Sequence, residues 1–159
     1  MKQRNLALML KTVTIGTAFC GAVIFFYIFP VWGNSLAEMY PEFYHCYLPW
    51  LIFIWITAIP CFCVLHLVWR IASEIGKDNS FSQDNARYLK YISVLAFADT
   101  AIFFAGNIIY LLLNMNHPSV ILISLIIVFI GVAVSVTSAL LSHLVLKAAQ
   151  LKEENDNFI

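Results

Sequence analysis

Long stretches without a charged residue dominate the chain. No Asp, Glu, Lys or Arg occurs at residues 12–37, 43–69 and 100–146. A helix that crosses a bilayer needs about 20 apolar residues. The third stretch is long enough for two such helices, and the polar run 114–117 followed by Pro118 divides it. The pattern therefore predicts four membrane-spanning helices, at about 12–32, 49–69, 88–113 and 118–146.

The composition agrees with a membrane location. The chain has 159 residues, of which 62% are hydrophobic and 11% are charged, whereas soluble domains carry about 25% charged residues. A small soluble domain keeps too much of its surface in water to hide this many apolar residues. The composition excludes a disordered segment, a coiled coil and a nucleic-acid-binding domain, which would need a basic face. We expect an all-α polytopic membrane protein, residues 1–159 forming a single membrane domain of four helices in two hairpins.

The basic residues predict the orientation in the membrane. Eight of the nine Lys and Arg residues precede helix one, lie between helices two and three, or follow helix four, and the ninth, Lys90, lies in the first turn of helix three. The two other loops, 33–48 and 114–117, contain none. Because basic residues concentrate on the cytoplasmic side, we expect both termini, the loop 70–87 and the tail 147–159 in the cytoplasm.

Two pairs of segments repeat at an offset of 77 to 78 residues. Residues 18–26 resemble residues 96–104, and residues 66–72 resemble residues 143–149. Either the two hairpins are parallel copies or the segments share only an apolar composition. In the repeat, Asp99 stands where the first copy has Gly21, and His66 corresponds to His143.

A small set of polar residues is predicted to lie at membrane depth. Asp99 is the one acidic residue there, and a carboxylate in lipid needs partners inside the bundle. Helical spacing gives it one broad face with Thr100, Asn107 and Tyr110. This face could form a proton or cation site, a ligand-sensing pocket or a packing hydrogen bond. The two histidines, His66 and His143, could form a pH-sensitive pair, but two histidines make a weak metal-ligand set.

Small residues on helix four indicate a close helix contact. Gly131, Ser135 and Ala139 are spaced four apart, which lets two backbones approach closely. The partner is either another helix of the same bundle or a second copy of the chain in a homodimer.

Motifs for catalysis do not occur in the sequence. It contains no phosphate-binding loop, no HExxH and no paired carboxylates at membrane depth. We therefore expect no enzymatic activity, no catalytic residues, no cofactor and no metal site.

The predicted cytoplasmic loop is short and ordered. Gly76 is expected to end helix two as a C′ glycine, and Ser82 to cap helix three, with Asp84 in its first turn. Phe81 is an unexpected aromatic residue in such a loop. The tail is expected to begin as a helix and then to become acidic.

These segments resemble a bacterial membrane family known as DUF2975. The resemblance lies in residues 80–82, 85–86 and 89–90 before helix three, in residues 152–156 of the tail, and in four spans over nearly the whole chain. Asn157-Phe158 departs from the small apolar residue or Thr that is usual in that family. The resemblance implies a multi-pass protein of the bacterial cytoplasmic membrane. It also implies no established enzymatic activity and a frequent pairing with a small helix-turn-helix regulator of the Cro/CI type.

The leading interpretation is a regulatory membrane protein that binds or sequesters such a regulator and contacts no nucleic acid itself. An acidic tail could compete with DNA for a basic partner surface. The expected partner-binding residues are Asp78, Asn79, Phe81, Asn85, Arg87, Glu153, Glu154, Asn155 and Asp156. The alternatives are a small ion-coupled transporter or ligand sensor that uses Asp99, and an immunity-type membrane protein whose loop 33–48 makes the contacts.

Overall fold

Four long helices account for almost all of the structure. The computed structural model describes residues 3–157, and the side chains of residues 3–155. Helix α1 comprises Gln3–Val23, a π-helical segment Ile24–Ile28 and Phe29–Met39. The others are α2 (Tyr44–Gly76), α3 (Gln83–Leu112) and α4 (Pro118–Asn157). All four are long and apolar enough to cross a membrane. The predicted fold class, an all-α protein with four membrane-spanning helices, is therefore confirmed.

The helices extend well beyond the predicted spans, so the predicted loop 33–48 is corrected, whereas the predicted helix end at Gly76 and helix start after Ser82 agree with the structure. Residues 33–48 are mostly helical, because α1 runs to Met39 and only a 3₁₀ turn, Pro41–Phe43, separates it from α2. In the loop 70–87, residues 77–82 alone lie outside the helices. Inside the hydrocarbon the backbone must form a helix, and a helix already formed there can continue into the interface without losing hydrogen bonds. The tail is helical as far as Asn157, and residues 158–159 lie outside the described residues.

Gly76 has a different role from the one predicted. It lies in the last turn of α2 with a helical backbone, and the left-handed residue after the helix is Asp78, with φ of 64°. A Cβ at Gly76 would lie 3.3 Å from the methyl carbon of Ala7. The glycine therefore serves the close approach of α1 to α2. Asp tolerates the left-handed conformation better than most residues.

The helices pack in chain order around an open centre. Helix α1 packs against α2, α2 against α3, and α3 against α4. Among the described residues, α1 does not approach α3 or α4, and α2 does not approach α4, within 8 Å between Cα atoms. The space that these helices leave between them is the cavity described below.

The tightest contact in the bundle joins α3 and α4 through small residues. A Cβ at Gly131 would overlap the side chain of Thr100. Further along, Ser135 Oγ donates to the Ser93 carbonyl at 2.9 Å, and Ser142 Oγ donates to the Ala86 carbonyl at 2.7 Å.

Of the two contacts that the sequence left open for this face of helix four, the structure shows the one within the bundle. Gly131 and Ser135 belong to the contact between α3 and α4 of one chain, because their small side chains let the two backbones approach closely. Ala139 is exposed. These three residues do not form one free surface for a second copy.

A π-helical segment in α1 adapts the helix to a proline. In this segment Phe29 N–H donates to the Ile24 carbonyl, five residues back. The next bond of that register would need an N–H on Pro30, which proline lacks. The Phe25 carbonyl instead accepts a hydrogen bond from Trp55 Nε1 of α2 at 3.0 Å. A polar backbone atom at membrane depth thus gains the partner it needs, and α1 is joined to α2.

Candidate functional site

All four helices line a cavity of about 630 Å³ in the centre of the bundle. Its wall is mainly apolar and includes Phe25, Phe29, Trp50, Phe62 and Phe103. A few polar side chains interrupt this wall: Thr17, Thr57, Asp99, Thr100, Asn107 and Ser124. An apolar cavity with a few polar groups is the usual form of a small-molecule site.

Asp99 is the charged residue of the cavity. Its Oδ2 atom accepts a weak hydrogen bond from Cys61 Sγ of α2 at 3.7 Å. Its Oδ1 atom is buried and has no hydrogen-bond partner among the described residues. No Lys, Arg or His is among the residues that line the cavity. The described part of the structure thus holds a carboxylate in an apolar setting without a counter-charge among the residues that line the cavity.

The predicted polar face around Asp99 divides into two parts. Thr100 lines the cavity and donates to the Ala96 carbonyl at 2.6 Å. Asn107 also lines it but is fully buried, donating to the Phe103 carbonyl at 2.8 Å and accepting from Asn116 Nδ2 at 3.3 Å. Asn107 is thus a structural tie as well as a wall residue.

Tyr110 lies at the end of the bundle, beyond the cavity wall. Its hydroxyl donates to the Pro49 carbonyl at 2.9 Å, and the neighbouring Trp50 Nε1 donates to the Met115 carbonyl at 3.2 Å. These bonds connect α2 to α3 and to the turn before α4. Tyr110 therefore ties helix ends together rather than completing a pocket with Asp99.

His66 and His143 do not form a pair. Both side chains are exposed, and they lie on α2 and α4, which do not approach each other. His66 instead lines an outer groove between α2 and α3. The described residues contain no group of three His, Cys, Asp or Glu side chains that could hold a metal ion. Because α2 and α4 are separated, His66 and His143 cannot form the suggested pH-sensitive pair.

The predicted partner-binding residues lie at the end of the bundle where α1 begins and α4 ends, which also carries the described basic residues. There the turn 77–82 is held by Asn85, whose Nδ2 donates to the carbonyls of Asn79 and Ser80 at 3.2 and 3.0 Å. Ser82 Oγ accepts from Asn85 N–H at 3.2 Å, which confirms Ser82 as the N-cap of α3. Asn85 is 2% exposed. It cannot meet a partner directly, so its predicted role is corrected to an internal support of the turn.

Most of the other predicted residues remain accessible at this end of the bundle. Gln83 Nε2 donates to Glu153 Oε2 at 3.2 Å, which brings the end of α4 against the start of α3. Ser80 Oγ donates to Gln3 Oε1 at 2.7 Å, which adds the start of α1. We call this the basic-end surface; its exposed members from the prediction are Asp78, Phe81, Arg87, Glu153, Glu154 and Asn155. Asn79 is half-buried, and the side chain of Asp156 lies outside the described residues.

Two features of the cavity escaped the sequence analysis. Cys61 was not among the predicted site residues, yet it is the hydrogen-bonding neighbour of Asp99. Gly21 lines the same cavity from α1. The repeat offered a signal for this second feature, because it aligned Gly21 with Asp99 and so placed both at the same depth.

Comparisons with known proteins give the family of the chain. The family model described as "Protein of unknown function (DUF2975)" matches residues 31–159. The chain is 31% identical over 159 residues to the "Uncharacterized membrane protein YoaS" of Bacillus subtilis (strain 168), covering 98% of this chain and 97% of that protein. No solved structure matches the chain. With its four membrane-spanning helices, the chain is a multi-pass bacterial membrane protein that belongs to the DUF2975 family.

Proposed function

We propose that the protein is a non-enzymatic regulatory membrane protein that binds a small cytoplasmic helix-turn-helix regulator through the basic-end surface. The observation that carries the proposal is Phe81. This aromatic side chain is 57% exposed at the tip of a short turn whose backbone is tied down on several sides. Aromatic residues that remain exposed on a preorganised surface are frequent anchors of protein–protein interfaces.

The hydrogen bonds around the turn support this role. Glu74 accepts from Lys77 Nζ at 2.7 Å and from Asn79 Nδ2 at 3.1 Å, which closes the end of α2. The amide of Asn85 binds the backbone from the other side. Because the turn is already ordered, a partner that covers Phe81 would lose little conformational entropy on binding.

Acidic side chains near Phe81 offer contacts for a basic partner surface, at an end of the bundle that also carries the basic residues. Asp78 and Asp84 lie in the turn and the first turn of α3, and Glu153 and Glu154 lie on the adjoining end of α4. A small DNA-binding protein has a basic face for phosphate, and acidic side chains can compete for it. Such an interaction weakens as salt screens the charges. The proposal includes a cytoplasmic location of this surface, which the positive-inside pattern supports.

The test is co-purification of the tagged full-length protein from its native host in mild detergent, with identification of partners by mass spectrometry. The wild-type protein is expected to recover a small helix-turn-helix protein, and washing at rising salt to remove it. Phe81→Ala is expected to reduce the recovered partner at least tenfold, since truncating an anchor residue commonly costs 2 kcal/mol or more. Deletion of residues 153–159 is expected to reduce it as well.

Phe43→Ala is the matched control. Phe43 is 50% exposed and lies in the turn at the opposite end of the bundle. This variant should retain the partner. The proposal is overturned if the wild-type protein recovers no DNA-binding protein, or if Phe81→Ala and Phe43→Ala affect recovery equally.

A further inference from the structure

We infer that the central cavity is a binding site for a monovalent organic cation with an apolar body, whose charged group pairs with Asp99. This site is separate from the basic-end surface, and the inference does not depend on the proposed partner. It rests on the size and wall of the cavity, on the free carboxylate oxygen, and on the donor set around it.

The size of the cavity suits an organic molecule. Its volume of about 630 Å³ lies inside the range of about 300–1,000 Å³ that is common for small-molecule sites. Phe25, Phe62 and Phe103 supply aromatic surface from three different helices. The rings of Phe25 and Phe62 are 6.4 Å apart between centroids, so they form a continuous apolar patch. An apolar body of several rings or a branched alkyl group would cover this patch.

The charge of Asp99 indicates the sign of the ligand. An ionised carboxylate away from water is costly unless a positive group or several hydrogen bonds compensate it. Within the described residues, Cys61 provides one weak bond to Oδ2, and nothing binds Oδ1. The lining residues contain no positive side chain. A cation in the cavity would supply the missing compensation.

The donor set favours an organic cation over a metal ion. Zinc needs three or four His, Cys or carboxylate ligands, and calcium needs six to eight oxygens. Around Asp99 the structure offers one carboxylate, one thiol and the hydroxyl of Thr100, which are too few ligands of the required kind for either ion. An ammonium or phosphonium group needs less, because one carboxylate and the faces of aromatic rings are sufficient to hold it.

Gly21 provides the space that such a ligand needs. It lines the cavity from α1, a helix that does not approach α3. A Cβ at Gly21 would meet the Phe62 ring at 3.7 Å, an ordinary van der Waals distance. A Cβ can therefore be added at position 21 without moving the backbone, and because Gly21 lines the cavity, a longer side chain there would occupy cavity volume while leaving Asp99 intact.

The test uses tetraphenylphosphonium, a monovalent cation with four aromatic rings, and the purified full-length protein in detergent. Isothermal titration calorimetry is expected to show saturable binding to one site per chain. Triphenylphosphine oxide, which is uncharged and carries three phenyl rings and an oxygen on phosphorus, is expected to bind at least tenfold more weakly. Asp99→Asn is expected to weaken phosphonium binding at least tenfold and to leave binding of the uncharged compound unchanged.

Glu38→Gln is the matched charge control. Glu38 is exposed near the end of α1, where its Oε1 accepts from Asn34 Nδ2 at 2.7 Å, and it does not line the cavity. This variant should bind like the wild-type protein. Gly21→Leu keeps the carboxylate and should also reduce binding at least tenfold, so the inference stays testable if Asp99→Asn does not fold.

Three results would overturn the inference. The first is no saturable phosphonium binding to the folded wild-type protein. The second is equal affinity in the wild-type protein and in the folded variants Asp99→Asn or Gly21→Leu, which would mean partition onto the apolar exterior. The third is equal affinity for the charged and uncharged compounds, together with native mass spectra of a retained phospholipid, which would assign the cavity to a lipid chain.

Discussion

The close contact between α3 and α4 can be tested by adding one methyl group at Gly131. In Gly131→Ala the new Cβ would overlap Thr100 Oγ1 and lie 3.2 Å from both Cβ and Cγ2 of Thr100. Rotating the Thr100 side chain would break its 2.6 Å hydrogen bond to the Ala96 carbonyl. Because Thr100 is branched at Cβ, the rotation would also bring another of its atoms toward the new methyl group. Overpacking of this kind costs about 1–3 kcal/mol.

Gly16→Ala provides the reference for this change. Gly16 also lies in a helix, and nothing lies within 4 Å of the position that its Cβ would take. Both substitutions gain helix propensity of about 1 kcal/mol, so this gain cancels when the two variants are compared. Gly131→Ala should therefore be less stable than Gly16→Ala by about 1–3 kcal/mol.

The assay is reversible unfolding in mixed micelles with increasing dodecyl sulfate, followed by circular dichroism. The double variant Gly131→Ala/Thr100→Ala should recover part of the loss, because the second change removes the atoms that the new methyl group meets. Equal unfolding free energies for Gly131→Ala and Gly16→Ala would refute the close contact. A loss of dimer without a loss of monomer stability would instead assign Gly131 to an interface between copies.

Three further predictions concern the turn, the π-helical segment and the orientation. Asn85→Ala should destabilise the protein by about 1–3 kcal/mol, since two backbone carbonyls lose their donor. Amide hydrogen exchange in residues 77–82 should accelerate in this variant. Exchange at the wild-type rate would refute the role of Asn85 in holding the turn. Trp55→Phe should cost about 1–3 kcal/mol in the unfolding assay, because the Phe25 carbonyl loses its partner, and wild-type stability would contradict it. Ser80→Cys, in a chain without its native cysteines, should react with a membrane-impermeant thiol reagent only in inside-out vesicles; labelling in intact cells would reverse the predicted orientation.

The small residues of α4 show what a pattern along one helix can predict and what it cannot. The spacing of Gly131 and Ser135 indicates a close contact, but one helix carries no information about which neighbour it meets. The structure assigns the contact to α3, because Thr100 and Ser93 present matching groups at the same depth. The sequence leaves open whether this face of α4 meets a helix of the same bundle or a second copy of the chain. Only the three-dimensional pairing with α3 decides between the two.

Asn85 illustrates the same limit for a polar residue in a loop. Its position after Ser82 predicts a place in the first turn of α3, which is correct. Whether its side chain faces a partner or the protein depends on the path of the preceding turn. Because Asp78 is left-handed and the chain folds back, the carbonyls of Asn79 and Ser80 come within reach of the Asn85 amide.

By itself the sequence determined the number of helices and their membrane location. In hydrocarbon each backbone N–H and C=O group needs a hydrogen-bond partner within the protein, and a helix provides one for each. A long apolar run therefore forms a membrane-spanning helix. The tertiary structure alone decided that α1 and α4 stay apart, that Asp99 and Gly21 line one cavity, and that His66 and His143 do not meet. These features depend on how helices pack side by side, and packing is set by contacts between residues far apart in the chain.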